Sequence, residues 1–195
     1  TGSGSVVAGG IGNDISGDYT SVLGGYNNDI EEDYSTIGGG SNNAISTVYS
    51  TIAGGSENTI TGNYSSIVGG SSQTASGGNT FIGGGGGNTA SGILSTVVGG
   101  SENTAGGYHA FVGGGWLNQA NGDYSAVAGG RRAVANGEYS YAFGNDVTVD
   151  SANTAQFFST DHPGDFIVKG TLHADNFVGL PEDLADGDDM DTTIS

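Results

Sequence analysis

Residues 49–70 read YSTIAGGSENTITGNYSSIVGG and contain one phrase twice, first as Tyr-Ser-Thr-Ile-Ala-Gly-Gly and then as Tyr-Ser-Ser-Ile-Val-Gly-Gly. The second copy begins 15 residues after the first. The same aliphatic position recurs at this spacing along most of the chain, at Val7, Val22, Ile37, Ile52, Ile67, Ile82, Val97, Val112, Val127 and Ala142. Ten units follow one another without an insertion or a deletion, which indicates a strict geometric requirement.

Two further features keep the same phase. A Gly-Gly pair follows each aliphatic position and lapses only at Gly144-Asn145. An amide residue comes three residues later, from Asn13 to Asn118, and isoleucine or alanine two residues after that, from Ile15 to Ala135. A period of 15 residues with 40 glycines and many β-branched residues predicts one coil of a β-solenoid per unit. We therefore expect two short strands in every coil.

The strand phase follows from the alternation of side chains along an extended chain. Ser50 and Ile52 are predicted to point inward, and Tyr49, Thr51 and Ala53 to share the outer face. The later isoleucine or alanine supplies the inward residue of the second strand. Glycines permit positive φ at the corners, and stacked asparagines can bond to one another along the axis. Coils spaced by ~4.8 Å predict a rod roughly 48 Å long.

A single chain of this kind buries little apolar surface. Each inward side chain contributes about 2 to 3 kcal/mol, against an ordering cost of about 1.5 kcal/mol per residue. The outer face offers a stripe of bulky and small residues, such as Phe81 with Gly83 and Phe111 with Gly113. This stripe predicts interdigitation with a second chain, or else a ring that covers its own missing neighbour. We expect the chain to fold as an oligomer of three copies.

The stretch GDYSAVAGGRRAVANGEYSYAFGN, residues 122–145, resembles the head repeats of YadA-like trimeric autotransporter adhesins, which also occur in tail fibres of phages and other viruses. Their motif runs Ser-x-Ala-x-Gly and Ala-x-Ala-x-Gly. The matching residues here are Ser140, Ala142 and Gly144, with Ala133, Ala135 and Gly137. The resemblance covers residues 1 to about 147. It implies a left-handed parallel β-roll, three parallel rolls in a homotrimer, and an extended binding surface.

The chain departs from that family in two respects. Its period is 15 where 14 is commoner there, and this sequence contains no coiled-coil stalk or membrane-anchor barrel. The stretch FIVKGTLHADNFVG, residues 166–179, resembles the collar strands of tail fibres. We assign residues 1–147 to the β-roll, 148–181 to a β-rich collar or neck, and 182–195 to an acidic tail. Because residue 1 already lies in repeat register, we expect the chain to be a fragment of a longer protein.

Charge and composition exclude several partners. The net charge is −18, and Arg131, Arg132 and Lys169 are the only basic residues. Nucleic acid and anionic membrane surfaces are therefore disfavoured partners. The chain lacks cysteine, so no disulfide joins its coils, and no apolar stretch is long enough to insert into a membrane. We expect an extracellular protein, at a cell surface or on a virion or tail-fibre appendage.

The sequence offers no catalytic constellation and no cofactor motif. The serines lie at strand positions without a Ser-His-Asp arrangement, and the glycine run at residues 83–87 lacks the lysine of a phosphate loop. The histidines are scattered and do not indicate zinc. The carboxylates at residues 182–191 predict a solvated linker, with calcium binding as the alternative. We expect a protein that is not an enzyme and has no cofactor or metal.

Three classes of function remain: an adhesin or receptor-binding fibre, a structural self-assembling filament, and an ice- or mineral-binding protein. The third is the weakest, because the outward row of the first strand mixes threonine with phenylalanine and tyrosine. The candidate binding residues occupy the corners after the Gly-Gly pairs, where other coils carry serine. They are Trp116, Leu117, Arg131 and Arg132, with Tyr26 near the other end. Adjacent coils bring equivalent positions within about 5 Å, so we expect the indole and a guanidinium to stack. The partner is a receptor protein or glycan, or alternatively a neighbouring chain that covers this corner.

Overall fold

The computed structural model describes residues 2–158, which contain strands and turns but no helix. The 21 strands, numbered in chain order, are β1 Val6–Val7, β2 Asp14–Ile15, β3 Ser21–Val22, β4 Asp29–Ile30, β5 Thr36–Ile37, β6 Ala44–Ile45, β7 Thr51–Ile52, β8 Thr59–Ile60, β9 Ser66–Ile67, β10 Thr74–Ala75, β11 Phe81–Ile82, β12 Thr89–Ala90, β13 Thr96–Val97, β14 Thr104–Ala105, β15 Phe111–Val112, β16 Gln119–Ala120, β17 Ala126–Arg131, β18 Val134–Ala135, β19 Tyr141–Asn145, β20 Thr148–Val149 and β21 Ala155–Gln156. Most strands are two residues long, because a turn follows each pair of strand residues.

The strands form two parallel sheets. Odd-numbered strands build an 11-stranded sheet, the first sheet, and even-numbered strands build a 10-stranded sheet, the second sheet. Each strand pairs with its equivalent one coil later, so that Thr51 lies opposite Ser66 and Ile52 opposite Ile67. The predicted parallel β-solenoid of about ten coils is therefore confirmed. No helix within residues 2–158 has the length and apolar character needed to cross a membrane.

One core runs along the inside of the stack. Ile52 of the first sheet and Ile60 of the second are both 0% exposed. The buried rows are Val22, Ile37, Ile52, Ile67, Ile82, Val97, Val112, Val127 and Ala142 in the first sheet, and Ile15, Ile30, Ile45, Ile60, Ala75, Ala90, Ala105, Ala120, Ala135 and Val149 in the second. Val7 was predicted to be inward but is 40% exposed, because β1 has a neighbouring strand on one side only.

The predicted strand phase is right for four residues and wrong for the fifth. Ser50 and Ile52 are buried, and Thr51 and Ala53 are exposed. Tyr49 does not lie on the extended strand, however, since its φ of 56° places it in the left-handed region, within the turn that precedes β7. Alternation applies only to extended backbone, so it cannot be carried back to this residue.

The two glycines of each pair have different structural roles. Gly55 has a φ of 96°, and a Cβ atom there would lie 2.2 Å from the carbonyl oxygen of Gly70 in the next coil. Glycine is therefore required at this position. At Gly54 a Cβ atom would meet nothing within 4 Å. The chain by itself does not explain the first glycine.

Buried amides stabilise the same corner. The Nδ2 group of Asn43 donates hydrogen bonds to the carbonyl oxygens of Gly39 and Gly55 at 3.1 and 3.0 Å, and to Oδ1 of Asn28 at 3.0 Å. Its own Oδ1 accepts the backbone N–H of Asn58 at 3.1 Å. Every polar atom of this buried side chain is thus paired, which repays its desolvation. The expected asparagine stacking is present.

The last coils are shorter than the others. Val134 pairs with Thr148 and Tyr141 with Ala155, an offset of 14 residues, and the register shifts between Val127 and Gly129. Strands β20 and β21 continue both sheets beyond residue 147, where the sequence repeats fade. The predicted collar strands at residues 166–179 and the acidic tail at 182–195 lie outside the described residues.

Candidate functional site

The two positions after each Gly-Gly pair form a row of outward corners, here called the corner ladder. The first position pairs with its equivalent in the next coil, and the second has left-handed backbone conformation. The first positions are Ile11, Tyr26, Ser41, Ser56, Ser71, Gly86, Ser101, Trp116 and Arg131, and the second positions are Gly12, Asn27, Asn42, Glu57, Ser72, Gly87, Glu102, Leu117 and Arg132. All four predicted corner residues of the Trp116 region therefore lie on two adjacent coils.

The backbone holds these corners in a conformation that large side chains seldom adopt. Leu117 and Arg132 have φ values of 57° and 54°, which cost roughly 1–2 kcal/mol per residue in a free chain. Each N–H donates a hydrogen bond to the preceding coil, from Leu117 to the carbonyl of Ser101 at 3.0 Å and from Arg132 to that of Trp116 at 2.9 Å. The same inter-coil bond recurs along the ladder, so successive side chains leave the corner in the same direction.

Trp116 and Arg131 stack as expected. The Arg131 guanidinium carbon lies 5.1 Å from the centre of the indole, within the range of a cation–π contact. The indole Nε1–H of Trp116 donates a hydrogen bond to Oε1 of Glu102 at 3.4 Å, and the side chain remains 41% exposed. One face of the ring is therefore covered by a cation and its polar edge is held by a carboxylate. The remaining surface is available to a partner.

The second arginine is paired within the chain. Arg132 donates from Nε and Nη2 to the two carboxylate oxygens of Asp146, the second bond measuring 2.8 Å. These hydrogen bonds, and then the charge of Asp146, raise the pKa of Arg132. Arg131 makes no ion pair within residues 2–158. The corner thus presents one free guanidinium beside an indole, in a neighbourhood where Glu102 and Asp146 offset the two positive charges.

Tyr26 does not belong to the same cluster. It occupies a first position of the corner ladder and is 55% exposed, but it lies six coils from Trp116. At ~4.8 Å per coil the separation is about 29 Å. Its neighbours in the ladder are Ile11, which is 73% exposed, and Ser41. The structure brings together Trp116, Leu117, Arg131 and Arg132, and leaves Tyr26 as a separate apolar corner.

A second aromatic surface was missed from the sequence. Four tyrosines, here called the tyrosine ladder, stack in successive coils. Each lies in the turn that precedes a strand of the first sheet. They are Tyr19, Tyr34, Tyr49 and Tyr64, and all have positive φ. A shorter stack of His109, Tyr124 and Tyr139 occupies the same slot further along. The 15-residue tyrosine spacing was visible in the sequence, but Tyr49 was interpreted as an outer strand position and the stacking of the rings was not predicted.

The surroundings of Tyr34 in the ladder shift its pKa. Desolvation, and then the neighbouring phenols Tyr49 and Tyr19 and the carboxylates Asp33 and Asp18, raise the pKa of Tyr34 above its ordinary value. The same causes raise the pKa of Tyr124 in the shorter stack. Within residues 2–158, no three His, Asp or Glu side chains converge on a possible metal position.

No protein-family model matches the chain, and no curated protein matches it either. Function is therefore argued from the geometry of the chain itself.

Proposed function

We propose that the chain is a segment of a non-enzymatic trimeric fibre or adhesin, displayed outside the cell on a cell surface or virion, that presents a binding surface for attachment. In this proposal the coils form a left-handed roll and three parallel copies pack together. The parallel solenoid supports it, because stacked coils give a rigid, extended scaffold whose corners can carry variable side chains. The observation that carries the proposal is the outer face of the first sheet.

That outer face exposes large apolar side chains in several of its coils. Leu23 is 59% exposed, Val68 is 52% and Val98 is 48%. Phe81 and Phe111 are each 39% exposed. Exposed apolar residues that recur on one face of a sheet mark a protein–protein contact, whereas isolated ones need no explanation. This pattern supports burial of the face against further copies of the chain.

The phenylalanine rings also have a local role. A Cβ atom on Gly83 would lie 3.5 Å from Cε1 of Phe81, and one on Gly113 would lie 3.4 Å from Cε1 of Phe111. Each ring therefore leans over the glycine two residues later, as the alternative to interdigitation predicted. The rings remain exposed on their other side, so this local packing does not remove the need for a partner.

In several pairs, the first glycine supports close approach of another backbone. Gly24, Gly54 and Gly69 have no positive φ, and a Cβ atom at each would meet nothing within 4 Å. Neither conformation nor packing within one chain demands glycine there. A second chain that packs against this edge would benefit from the missing side chains, because backbones then approach more closely.

Two matched variants test the trimer. Gly55→Ala places a Cβ against the next coil and is expected to disrupt the fold, whereas Gly54→Ala leaves a single chain unstrained. We expect analytical ultracentrifugation to show a discrete trimer for the parent and a weakened trimer for Gly54→Ala. A stable folded monomer of the parent chain contradicts the proposal. Filaments that lengthen with concentration favour the alternative function, a structural self-assembling appendage.

The Trp116 corner is the proposed attachment site for a receptor protein or glycan. Tryptophan and arginine are enriched in binding hot spots, and here both are exposed in a chain with few other cations. The test replaces Trp116 and Arg131 by serine, the residue at Ser41 and Ser56 in the same ladder, and measures binding to intact cells and glycan panels. Lost binding at unchanged trimer melting temperature supports attachment. A large fall in melting temperature instead assigns the corner to assembly.

A further inference from the structure

We propose that the tyrosine ladder is a site of oxidative cross-linking, at which phenol rings from successive coils of one chain join through a carbon–carbon bond to form dityrosine. The inference comes from the ring geometry and is independent of any receptor. Because the chain has no cysteine, no disulfide can join its coils. A dityrosine bond at this turn would join them covalently.

The rings are already in contact and parallel. Ring centres are 5.4 Å apart between Tyr19 and Tyr34, 4.8 Å between Tyr34 and Tyr49, and 5.0 Å between Tyr49 and Tyr64. The interplanar angles are 6°, 2° and 3° in the same order. Parallel rings in register place the carbon atoms next to each hydroxyl beside their counterparts in the next coil. Coupling then needs a ring tilt and no diffusion.

Backbone hydrogen bonds fix this register. The N–H of Tyr34 donates to the carbonyl of Asp18 at 3.0 Å, and that of Tyr49 donates to the carbonyl of Asp33 at 3.2 Å. The left-handed conformation of each tyrosine is therefore tied to the coil before it. Stacked aromatic pairs contribute about 0.5–1.5 kcal/mol beyond area burial, which offsets the backbone strain. The fold therefore holds the tyrosine rings in the arrangement that coupling requires.

The ladder is open to an oxidant. Tyr19 is 60% exposed, Tyr34 is 47%, Tyr49 is 48% and Tyr64 is 56%. The hydroxyl ends lie outside the core, so electron and proton removal do not require unfolding.

The reaction balances with a peroxide as oxidant and a haem peroxidase as catalyst. Each of two phenols loses one electron and its hydroxyl proton and becomes a phenoxyl radical. The radicals combine at the carbons next to oxygen, and the hydrogen on each joined carbon moves to oxygen to restore two phenols. One hydrogen peroxide accepts the two electrons and two protons and becomes two water molecules. The chain loses two hydrogens for each cross-link.

The consequence is a covalent staple between adjacent coils. A bond between Tyr34 and Tyr49 closes a loop within the unfolded chain and lowers its conformational entropy, as a disulfide does. Coils that were joined by hydrogen bonds and packing then resist separation. The later coils lack this run, because Asn79 and Leu94 occupy the ladder slot.

The test treats the full chain with hydrogen peroxide and a haem peroxidase, followed by dityrosine fluorescence and mass spectrometry. A protease that cuts after acidic residues releases residues 34–57 as one peptide, bounded by Asp33 and Glu57, which contains both Tyr34 and Tyr49. We expect this peptide to become lighter by two hydrogens, which identifies coupling within one chain. The treated protein should also unfold at a higher urea concentration.

Matched variants separate the ladder from other tyrosines. The double variant Tyr34→Phe and Tyr49→Phe keeps ring stacking. It should lose every cross-link within the tyrosine ladder, because each stacked pair there contains Tyr34 or Tyr49. The stacked pair Tyr124 and Tyr139, at 4.9 Å, remains as an internal positive control. A second double variant, Tyr26→Phe and Tyr141→Phe, removes tyrosines outside the stacks and should leave the yield unchanged. Coupling mainly between molecules, equal coupling at Tyr26 or Tyr141, or an unchanged yield in the ladder variant overturns the proposal.

Discussion

Coils with isoleucine at the inward position of the second sheet close their turns differently from coils with alanine there. The isoleucine half comprises the coils with Ile15, Ile30, Ile45 and Ile60, and the alanine half those with Ala75, Ala90, Ala105, Ala120 and Ala135. Both halves have the same 15-residue period and the same parallel pairing. The change in this residue coincides with a change in the groups that close the turn, except in the boundary coil of Ala75, where the N–H of Thr80 still donates to a serine hydroxyl.

In the isoleucine half, buried serine hydroxyls close the turn. The Oγ of Ser65 donates to the carbonyl of Gly77 at 3.1 Å and accepts the backbone N–H of Thr80 at 3.0 Å, so this last bridge reaches into the first alanine coil. Ser50 does the same with Gly62 at 3.4 Å and Ser65 at 3.2 Å. These hydroxyls bridge successive coils, as the asparagines do at the opposite corner.

In the alanine half, hydrogen bonds between backbone N–H and carbonyl groups close the turn. The N–H of Ser95 donates to the carbonyl of Gly92 at 3.2 Å, and the carbonyl of Ala105 accepts two N–H groups, from Ser91 at 3.0 Å and Gly92 at 3.1 Å. The carbonyl of Ile45 accepts an N–H from Glu31. The smaller alanine side chain leaves room for the turn backbone to contract, although Val149 in the last coil also accepts two N–H groups, from Asn136 at 2.8 Å and Gly137 at 3.1 Å.

The tighter closure leaves hydroxyls without partners. Within the described residues, Oγ of Ser95, Ser125 and Ser140 is buried and makes no hydrogen bond. Gln73 marks the same transition, since its Nε2 is also buried and unpaired. Buried unpaired polar groups cost stability, so the alanine half retains serine at a position where its hydroxyl no longer contributes. The comparison teaches that repeated residues in a solenoid need not have repeated roles.

The largest effect is expected from a charge in the buried row of the first sheet, which runs through both halves. Ile52→Asp places an unpaired carboxylate at a position that is 0% exposed, and should cost more than about 4 kcal/mol. Because each coil packs on the next, circular dichroism should report the loss of several coils and not one. The matched control Thr51→Asp is exposed and should melt nearly as the parent does. Parent-like melting of Ile52→Asp would show that the inward phase is wrong.

The second prediction exchanges the residues that distinguish the halves. Ile45→Ala removes a buried side chain and should destabilise the protein by about 2–5 kcal/mol through lost burial and a cavity. The reverse change, Ala105→Ile, should cost about 1–3 kcal/mol by overpacking a tightened coil. Urea unfolding measures both. If Ala105→Ile stabilises the chain, the alanine half has spare volume and its turns are not closed by contraction.

The repeats predicted most of this architecture because the features concerned are periodic. Ile52 and Ile60 were placed inward by alternation, and the stacked asparagines followed from their equal spacing. The stacking of Arg131 on Trp116 was predicted because parallel register brings equivalent corners together. These inferences need only the period and the extended conformation.

Other features depend on backbone detail that one sequence does not reveal. Tyr49 was placed on the strand because no residue in the sequence marks where the turn ends and the strand begins. Ser65 and Ser95 look identical in the repeat, yet only the hydroxyl of Ser65 makes hydrogen bonds. The pairing of Arg132 with Asp146 depends on the shortened last coils, in which the Gly-Gly motif has lapsed.

A third prediction concerns the serine bridge of the isoleucine half. Ser65→Ala removes the acceptor for the N–H of Thr80 and leaves it buried and unpaired, which should cost about 1–3 kcal/mol. Hydrogen exchange at Thr80 should quicken together with the fall in the urea midpoint. Ser66→Ala, one residue later on the outer face, is the control and should change neither quantity. An unchanged midpoint for Ser65→Ala means that the bridge contributes nothing.

A fourth and smaller effect is expected in alkali, at Tyr34 of the tyrosine ladder. Because the pKa of Tyr34 is raised in the folded chain, the folded state holds this phenol proton more tightly than the unfolded state does. The associated stability is complete below pH ~10, the ordinary pKa of tyrosine, and declines as pH rises through the higher folded value. We expect a modest drop in melting temperature above that pH. Tyr34→Phe should reduce the drop, and an equal drop in both proteins would reject the assignment.

The smallest effect is expected at the serine that corresponds to Ser65 in the alanine half. Ser95 is 0% exposed and its Oγ has no partner among the described residues, while its N–H already donates to Gly92. Ser95→Ala therefore removes a desolvated hydroxyl and no hydrogen bond, and should leave the urea midpoint unchanged or raise it by the equivalent of up to about 1 kcal/mol. Ser65→Ala provides the comparison under identical conditions. If both substitutions destabilise the chain equally, the two halves close their turns in the same way, and the distinction between isoleucine and alanine coils fails.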